Sequence, residues 1–396
     1  MPNYKYLIIG GGMTSDAAVH GIRQRDPQGA IGVIGAESYP PYDRPPLSKA
    51  LWKGKPLESI WRQDDQRAAK HLGRLACQLD PQNKRVTDDQ GATYTYEKLL
   101  LAAGCSPRRL PFGEDQIIYY RTLDDYQRLR QLAERHERFA VIGGGFIGSE
   151  IAAALAMNGK KTTILFPGPC IGGHAFPQPL AEFLNDYYVQ KGVNLLPQTT
   201  VTGLDTRDGK PVLQARGAQS GSDHQLPVDA VVAGIGVLPN VELAQAAGLT
   251  VDNGVRVDAA LRTSHPDIYA AGDVASFHNP ALDRWLRVEH EDNANHMGDA
   301  AGRSMAGESV AYDYLPSFYS DLFDLGYEAV GEIDARLEIF ADWKEPFREG
   351  VVYYLRAGRV RGVLLWNVWD QVGAARRLIA DPGPFSAQNL KGRLPE

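Results

Sequence analysis

Phe139-Ala-Val-Ile-Gly-Gly-Gly-Phe-Ile-Gly-Ser-Glu150 is the stretch on which the reading of this chain turns. The apolar run from Phe139 to Ile142 predicts a buried parallel strand. Glycines 143, 145 and 148 then follow with G-x-G-x-x-G spacing, and Ile151 to Met157 continues as an Ala-rich helix. In such a turn one glycine bends the chain tightly, the next lets backbone approach a pyrophosphate, and the third lets helix pack on strand. The helix start adds unpaired N–H groups and a partial positive charge for that phosphate. Standing alone, a glycine-rich turn serves structural ends as often. Here the chain opens on a second copy.

Tyr4 to Ile9 predicts a strand, followed by Gly10-Gly-Gly-Met-Thr-Ser15 and a helix through Arg25. Ser15 stands where a third Gly or Ala is usual, and it is small enough to keep helix close to strand. Ile31 to Ile34 predicts the next strand. Glu37 beyond it is placed to accept hydrogen bonds from both ribose hydroxyls of an adenosine, the plain alternative being a solvated surface carboxylate.

With 396 residues the chain has material for two or three domains with ample core. No run of about 18 apolar residues predicts a membrane span. A first strand beginning by Tyr4 leaves no room for a signal or transit peptide, so a cytoplasmic location is expected. Cys77, Cys105 and Cys170 are scattered without a C-x-x-C, which suggests neither a redox dithiol nor a disulfide framework. A net charge of −6 argues against a general nucleic-acid binder, and no metal is expected.

Further along, Tyr42-Asp-Arg-Pro-Pro-Leu-Ser-Lys49 predicts a stiff loop that fixes Arg44 and Lys49. Cys77 to Asp80 and Val86 to Tyr96 predict short strands with turns between them, and Leu99 to Ala103 another buried strand ending at Gly104. Thr122 or Asp124 caps a new helix near the first domain boundary. Lys161 to Phe166 predicts the second strand of the central unit. It ends in Pro167-Gly168-Pro169, with no carboxylate about 20 residues past the glycines, where a ribose-binding one is expected. Val228 to Gly236 predicts a third strand. Ile268 to Ala271 predicts one that delivers Gly272 and Asp273 to the carboxyl end of a sheet, where ligands of open α/β sheets bind. From Tyr312 two alternating runs, Gly350 to Arg356 and Arg359 to Trp366, predict a hairpin in an α+β tail, with a closing helix over Ala374 to Ala380. The expected fold class is therefore α/β, with two Rossmann-like dinucleotide-binding domains and a C-terminal α+β domain. The first (1–120 and 249–311) is interrupted by the second (121–248), and the tail covers 312–396.

Two dinucleotide units, one inside the other, and a late Ala-Gly-Asp segment resemble the FAD- and NAD(P)H-dependent disulfide-reductase superfamily in its form without a redox disulfide. Pro40-Pro-Tyr-Asp-Arg-Pro-Pro-Leu-Ser-Lys49 is similar to the ferredoxin reductases of oxygenase systems and to the apoptosis-inducing factor family. Lys49-Ala-Leu-Trp52, Arg287-Val-Glu-His290, Ser320-Asp-Leu322, Gly326-Tyr-Glu-Ala-Val-Gly331 and Val363-Leu-Leu-Trp-Asn367 resemble the latter more closely. The resemblance spans essentially the whole chain.

That resemblance implies FAD and NAD(H) or NADP(H) as cofactors, with hydride passing from nicotinamide to flavin N5. It implies that Gly10, Gly11, Gly12, Met13, Thr14 and Ser15 face the FAD pyrophosphate and Glu37 the adenosine ribose. Arg44 and Lys49 would lie along the cofactor, Lys49 near N5. Ala76, Ala103, Gly104 and Arg121 would also contact FAD, Asp273 the ribityl chain, and His290 and Glu291 the pyrimidine end. Gly144, Gly145, Phe146 and Ile147 would cradle the NAD(P)H phosphates, and Glu150 would pair with Lys49. Gly236, Glu289, Tyr319, Glu328 and Asn367 would line the nicotinamide side. Lys49 and Glu150 are the implied catalytic pair. Tyr319 stands where the best-known animal member carries Trp. Gly168 replaces the ribose-binding Glu, which leaves NADH against NADPH open. His174 falls where a cation sits in the family, a lone His being more often structural.

Two functions compete. In one, the chain oxidises NAD(P)H and passes electrons to a ferredoxin, a quinone or oxygen. In the other, a lasting charge-transfer complex of reduced flavin with NAD switches a binding surface, a homodimer among its partners.

Overall fold

The computed structural model describes residues 1–394 except 64, 66, 219 and 220. Its residues group into two compact units. One comprises Met1–Asp43, Glu58–Ser106 and Leu238–Phe318, the other Arg44–Leu57, Pro107–Val237 and Tyr319–Glu396.

The first unit is built on a seven-stranded sheet. Ala69–Leu72, Ile31–Gly35, Asn3–Ile9 and Thr93–Leu101 lie side by side in parallel, and Ile268–Ala270 adds to the end of Thr93–Leu101. Leu7, Ile8, Ile34, Leu99, Leu100 and Ile268 are buried on both faces, which is why these strands read as continuous apolar runs instead of alternating ones. The expected strand at Leu99 is not separate. Thr93-Tyr-Thr-Tyr96 alternates because its first half pairs antiparallel with Arg85–Asp88, and the chain enters the buried centre of the sheet without a break. Helices Met13–Arg25 and Glu291–Met305 pack backbone to backbone. A Cβ on Gly298 or Gly302 would lie 2.4 or 2.1 Å from a carbonyl oxygen of the facing helix.

In the second unit a five-stranded parallel sheet runs Asn194–Leu196, Lys161–Leu165, Arg138–Ile142, Ala230–Ala233, Ile117–Tyr119. The strand expected over Val228 to Gly236 is shorter. The chain must turn at Gly234, whose Cβ would come within 2.8 Å of the Gly148 nitrogen. Thr122 caps the helix Leu123–Arg135, and Asp125 completes a reciprocal capping box. A three-stranded antiparallel sheet, Thr199–Arg207, Lys210–Gly217 and Asp223–Pro227, is attached. The tail forms a five-stranded sheet ordered Ser317–Leu322, Leu325–Gly331, Arg359–Trp366, Glu349–Arg356, Glu338–Glu345. Ala375, Leu378 and Ile379 form the buried stripe of the helix Val372–Ala380. The segment Arg44–Leu57 is fastened to this unit. Trp52 Nε1 and the Tyr120 hydroxyl both donate to the Leu47 carbonyl, at 2.9 and 2.5 Å, and Asn158 Nδ2 donates to the Trp52 carbonyl at 3.1 Å.

Among the described residues no helix is long and apolar enough to cross a membrane. None of the three cysteines is in a disulfide.

Candidate functional site

In the first unit the strand ends align. Ile9 is level with both Ile34 and Leu101, and Leu101 with Ala270. Gly10 to Ser15, Glu37, Ala103–Gly104 and Asp273 therefore all follow the carboxyl edge of one sheet. A Cβ on Gly12 would meet nothing within 4 Å, so the start of the helix Met13–Arg25 is open to a phosphate. Gly11 lies against Gly35, its added Cβ 3.2 Å from that Cα. Ser15 fills the third fingerprint position by donating its hydroxyl to the Gly10 carbonyl at 2.7 Å, and it stays buried. Gly272, with φ +74°, backs onto Thr14 so closely that a Cβ would lie 2.3 Å from its hydroxyl, and this brings Asp273 beside the fingerprint. Glu37 accepts the Tyr42 hydroxyl at 2.5 Å. Asn240 holds the Ala103 and Gly104 carbonyls at 2.8 and 3.0 Å. Ala76 opens the strand Ala76–Asp80. His290 occupies the N-cap position of the helix that begins at Glu291, without a side-chain capping bond, and its ring stacks on Phe318 at 4.2 Å. Arg287 pairs with Glu289 at 2.6 Å and donates to the Asp273 carbonyl at 3.2 Å. Glu289 thus lies in the first unit, linked through Arg287 to the Asp273 backbone. The open edge, its helix N-terminus and the carboxylates beyond it fit a dinucleotide of the FAD type.

The second unit repeats the arrangement. Gly145, at φ −84°, has nothing within 4 Å of an added Cβ, whereas a Cβ on Gly148 would sit 1.9 Å from the Gly143 oxygen. Gly144 lies on the Phe166 ring, and Phe146 meets His174 at 5.9 Å with the rings tilted by 55°. Ile147 and His174 are exposed. Gly236, with φ +93°, lies beside the Arg108 side chain, 3.6 Å from an added Cβ. Glu328 has one carboxylate oxygen buried without a hydrogen-bond partner, and burial together with the Asp370 charge raises its pKa. A buried acceptor in that state suits a donor such as a carboxamide. Asn367 spends its amide differently, accepting the Gly326 N–H at 2.7 Å and donating to the Arg348 carbonyl at 2.8 Å. This unit fits a second dinucleotide.

The same unit holds a buried ionic cluster. Lys49 Nζ lies 2.8 Å from Glu150 Oε2, and both residues are under 9 % exposed. Ser48 donates to the same oxygen at 2.6 Å, and Ser320 to the other at 2.5 Å. Three donors, Ser48, Lys49 and Ser320, thus converge on the two Glu150 oxygens. Tyr319, 41 % exposed, lays its ring 5.1 Å from Lys49 Nζ as a cation–π partner. Burial raises the Tyr188 and Tyr327 hydroxyls well above the ordinary phenol value, and the Glu150 charge adds to both. Arg44 Nη1 donates to the Arg121 carbonyl at 3.0 Å, so two residues assigned to the flavin are joined to each other. Sequence reasoning missed Ser48 and Ser320. Each is the immediate neighbour of a residue that was identified, Lys49 and Tyr319, and that adjacency was the available signal.

Comparison with known proteins accords with this geometry. The family model described as pyridine nucleotide-disulphide oxidoreductase matches residues 4–298, and that of the apoptosis-inducing factor C-terminal region matches residues 340–381. The chain is 35 % identical over 386 residues to the ferredoxin–NAD(+) reductase component of an anthranilate 1,2-dioxygenase system from Burkholderia cepacia, covering 95 % of this chain and 94 % of that one. It is 30 % identical to apoptosis-inducing factor 1 from Dictyostelium discoideum, covering 95 % and 78 %. Among solved structures, the covalent putidaredoxin reductase–putidaredoxin complex contains a chain that superposes with a TM-score of 0.90 at 30 % identity, covering 98 % and 96 %. The doubled fingerprint, the late Gly-Asp segment and the tail sheet together make this chain a member of the pyridine nucleotide-disulphide oxidoreductase family, an FAD-dependent NAD(P)H oxidoreductase of the apoptosis-inducing-factor-like, ferredoxin-reductase type.

Proposed function

We propose that this enzyme is a cytoplasmic reductase that passes electrons from NAD(P)H to a ferredoxin. The observation that carries the reading is the pair of fingerprints, each with open space at its middle glycine. FAD, held by the first fingerprint, would supply hydride acceptance from the nicotinamide and release of electrons one at a time. The protein's part is to hold, orient and supply charge. Domains 1–120 with 249–311, 121–248 and 312–396 would carry FAD, NAD(P)H and the tail functions. Gly10 to Ser15 would bind the FAD pyrophosphate, Glu37 its ribose and Asp273 its ribityl hydroxyls, with Ala76, Ala103, Gly104, Arg44, Arg121, His290 and Glu291 as further contacts. Gly144 to Ile147 would bind the coenzyme phosphates, and Glu328 the nicotinamide carboxamide. Lys49 is proposed as the cation that stabilises negative charge on the reduced ring, with Glu150 as the residue that positions it.

The names of the relatives support the acceptor. The Burkholderia cepacia protein is a ferredoxin–NAD(+) reductase component, and the superposed reductase is bound to putidaredoxin. They favour a reductase over a redox-switched binding protein. The test is a coupled assay with the FAD-loaded protein, NADH and cytochrome c. Reduction should be slow alone and should accelerate about a hundredfold when an iron–sulfur ferredoxin is added, the span expected when a specific docking partner replaces chance encounter. Equal rates with and without the ferredoxin would contradict the acceptor.

A further inference from the structure

Both nucleotide units use the same hydrogen-bond frame at the end of their second strand, and the frame gives a residue-by-residue correspondence inside this one chain. Gly10 N–H donates to the Ile34 carbonyl at 2.8 Å, and Gly143 N–H to the Leu165 carbonyl at 2.8 Å. One residue on, the Gly35 carbonyl accepts from Arg74 N–H and the Phe166 carbonyl from Thr199 N–H, both at 2.9 Å. Two residues beyond that, the Glu37 carbonyl accepts from Gly73 N–H at 3.1 Å, and the Gly168 carbonyl from Gln198 N–H at 2.8 Å. Gly168 is thus the counterpart of Glu37, established by three matched backbone contacts. Where the first unit carries a carboxylate side chain, the second carries a hydrogen atom.

The surrounding loop does not restore the missing charge. From Phe166 to Gly173 the sequence is Phe-Pro-Gly-Pro-Cys-Ile-Gly-Gly, with neither acid nor base, and the one titratable residue that follows, His174, is exposed with its ring against Phe146 at 5.9 Å. Asn185 fixes the loop, accepting Ile171 N–H and donating to the Pro169 carbonyl, both at 3.0 Å. A carboxylate at position 168 would accept both ribose hydroxyls and repel a 2′-phosphate, and an arginine would attract that phosphate. Gly168 does neither.

We propose that the second nucleotide unit accepts NADH and NADPH with little discrimination, because position 168 offers the 2′-group no charged or hydrogen-bonding side chain. The inference rests on the proposed placement of the coenzyme in this unit. Position 168 tolerates a side chain: its φ lies outside the left-handed region, and an added Cβ would meet only the Cys170 carbonyl, at 3.9 Å. Gly168→Glu is therefore expected to fold.

The test is calorimetric titration of the FAD-loaded protein with ADP-ribose and with 2′-phospho-ADP-ribose, alongside reduction rates with NADH and NADPH. In the wild type the two dissociation constants should agree within about tenfold, and so should the two values of kcat/KM. Gly168→Glu should weaken 2′-phospho-ADP-ribose by roughly a hundredfold through like-charge contact, leaving ADP-ribose unchanged or tighter. A wild-type preference above a hundredfold for either ligand, a Gly168→Glu variant with an unaltered ratio, or no binding of either ligand would each overturn the proposal. Near-equal binding of both ligands, with no flavin reduction by either coenzyme, would support it while contradicting the function proposed above.

Discussion

Glu150→Ala is expected to be among the most damaging single substitutions in this protein, destabilising it by about 3–5 kcal/mol in denaturant unfolding. The cost comes from what the substitution leaves behind. Lys49 would stay buried with its charge uncompensated, and the Ser48 and Ser320 hydroxyls would lose their acceptor. A buried ion pair is weak evidence for stability in itself, because removing both charges is often neutral. The double variant Lys49→Met/Glu150→Leu should therefore recover most of the lost stability. Its rate of flavin reduction by NAD(P)H should stay slow, about a hundredfold below wild type, with FAD retained, if the cation supplies charge where the ring becomes negative. Lys49→Met alone should show the same slow reduction. Normal reduction in the double variant would remove the pair from the chemistry and leave it a structural feature.

The second large effect separates two glycines three residues apart. Gly145→Val should fold with stability within about 0.5 kcal/mol of wild type, since its φ of −84° suits any residue and its added Cβ meets nothing. It should nevertheless lose affinity for the coenzyme by at least about a hundredfold, because the side chain fills the space through which backbone approaches the pyrophosphate. Gly148→Ala should do the reverse. Its methyl group would lie 1.9 Å from the Gly143 carbonyl, which cannot yield without moving helix from strand. A loss at or above the upper end of the roughly 1–3 kcal/mol typical of overpacking should follow. Thermal unfolding of the two variants, set against their NADH titrations, distinguishes the cases. If Gly145→Val bound the coenzyme normally, the fingerprint would not be the phosphate site.

Much of the architecture was legible because its signals are local. The period of apolar residues marked the parallel strands, and the glycine spacing marked both strand-to-helix turns. Thr122 or Asp124 marked a helix start by residue type, and the cap is Thr122, in a pattern confined to four residues. What the sequence hid depends on contacts between distant segments. The strand ending at Ala233 stops where it does because Gly234 meets Gly148, more than eighty positions away. Ser48 and Ser320 become donors to Glu150 only after three separate segments converge, and serine has no periodicity that announces such a role. Asn367 illustrates the opposite limit. Its amide is held between the backbones of Gly326 and Arg348, an arrangement that a motif naming it as a contact does not reveal. The correspondence of Glu37 with Gly168 lay between these extremes. The missing carboxylate was visible in the sequence and the resemblance placed it at Gly168, while the match to Glu37 within this chain followed from the paired backbone hydrogen bonds.

The central claim is that one chain holds a flavin in one fingerprint and is reduced through a nicotinamide coenzyme in the other. Anaerobic mixing of the purified protein with stoichiometric NADH, followed in the visible spectrum, tests it most directly. The protein should be yellow as isolated or after adding FAD, and the colour should bleach in a single turnover. A protein that stays colourless in the presence of FAD, or a yellow one that neither NADH nor NADPH bleaches, would contradict the account.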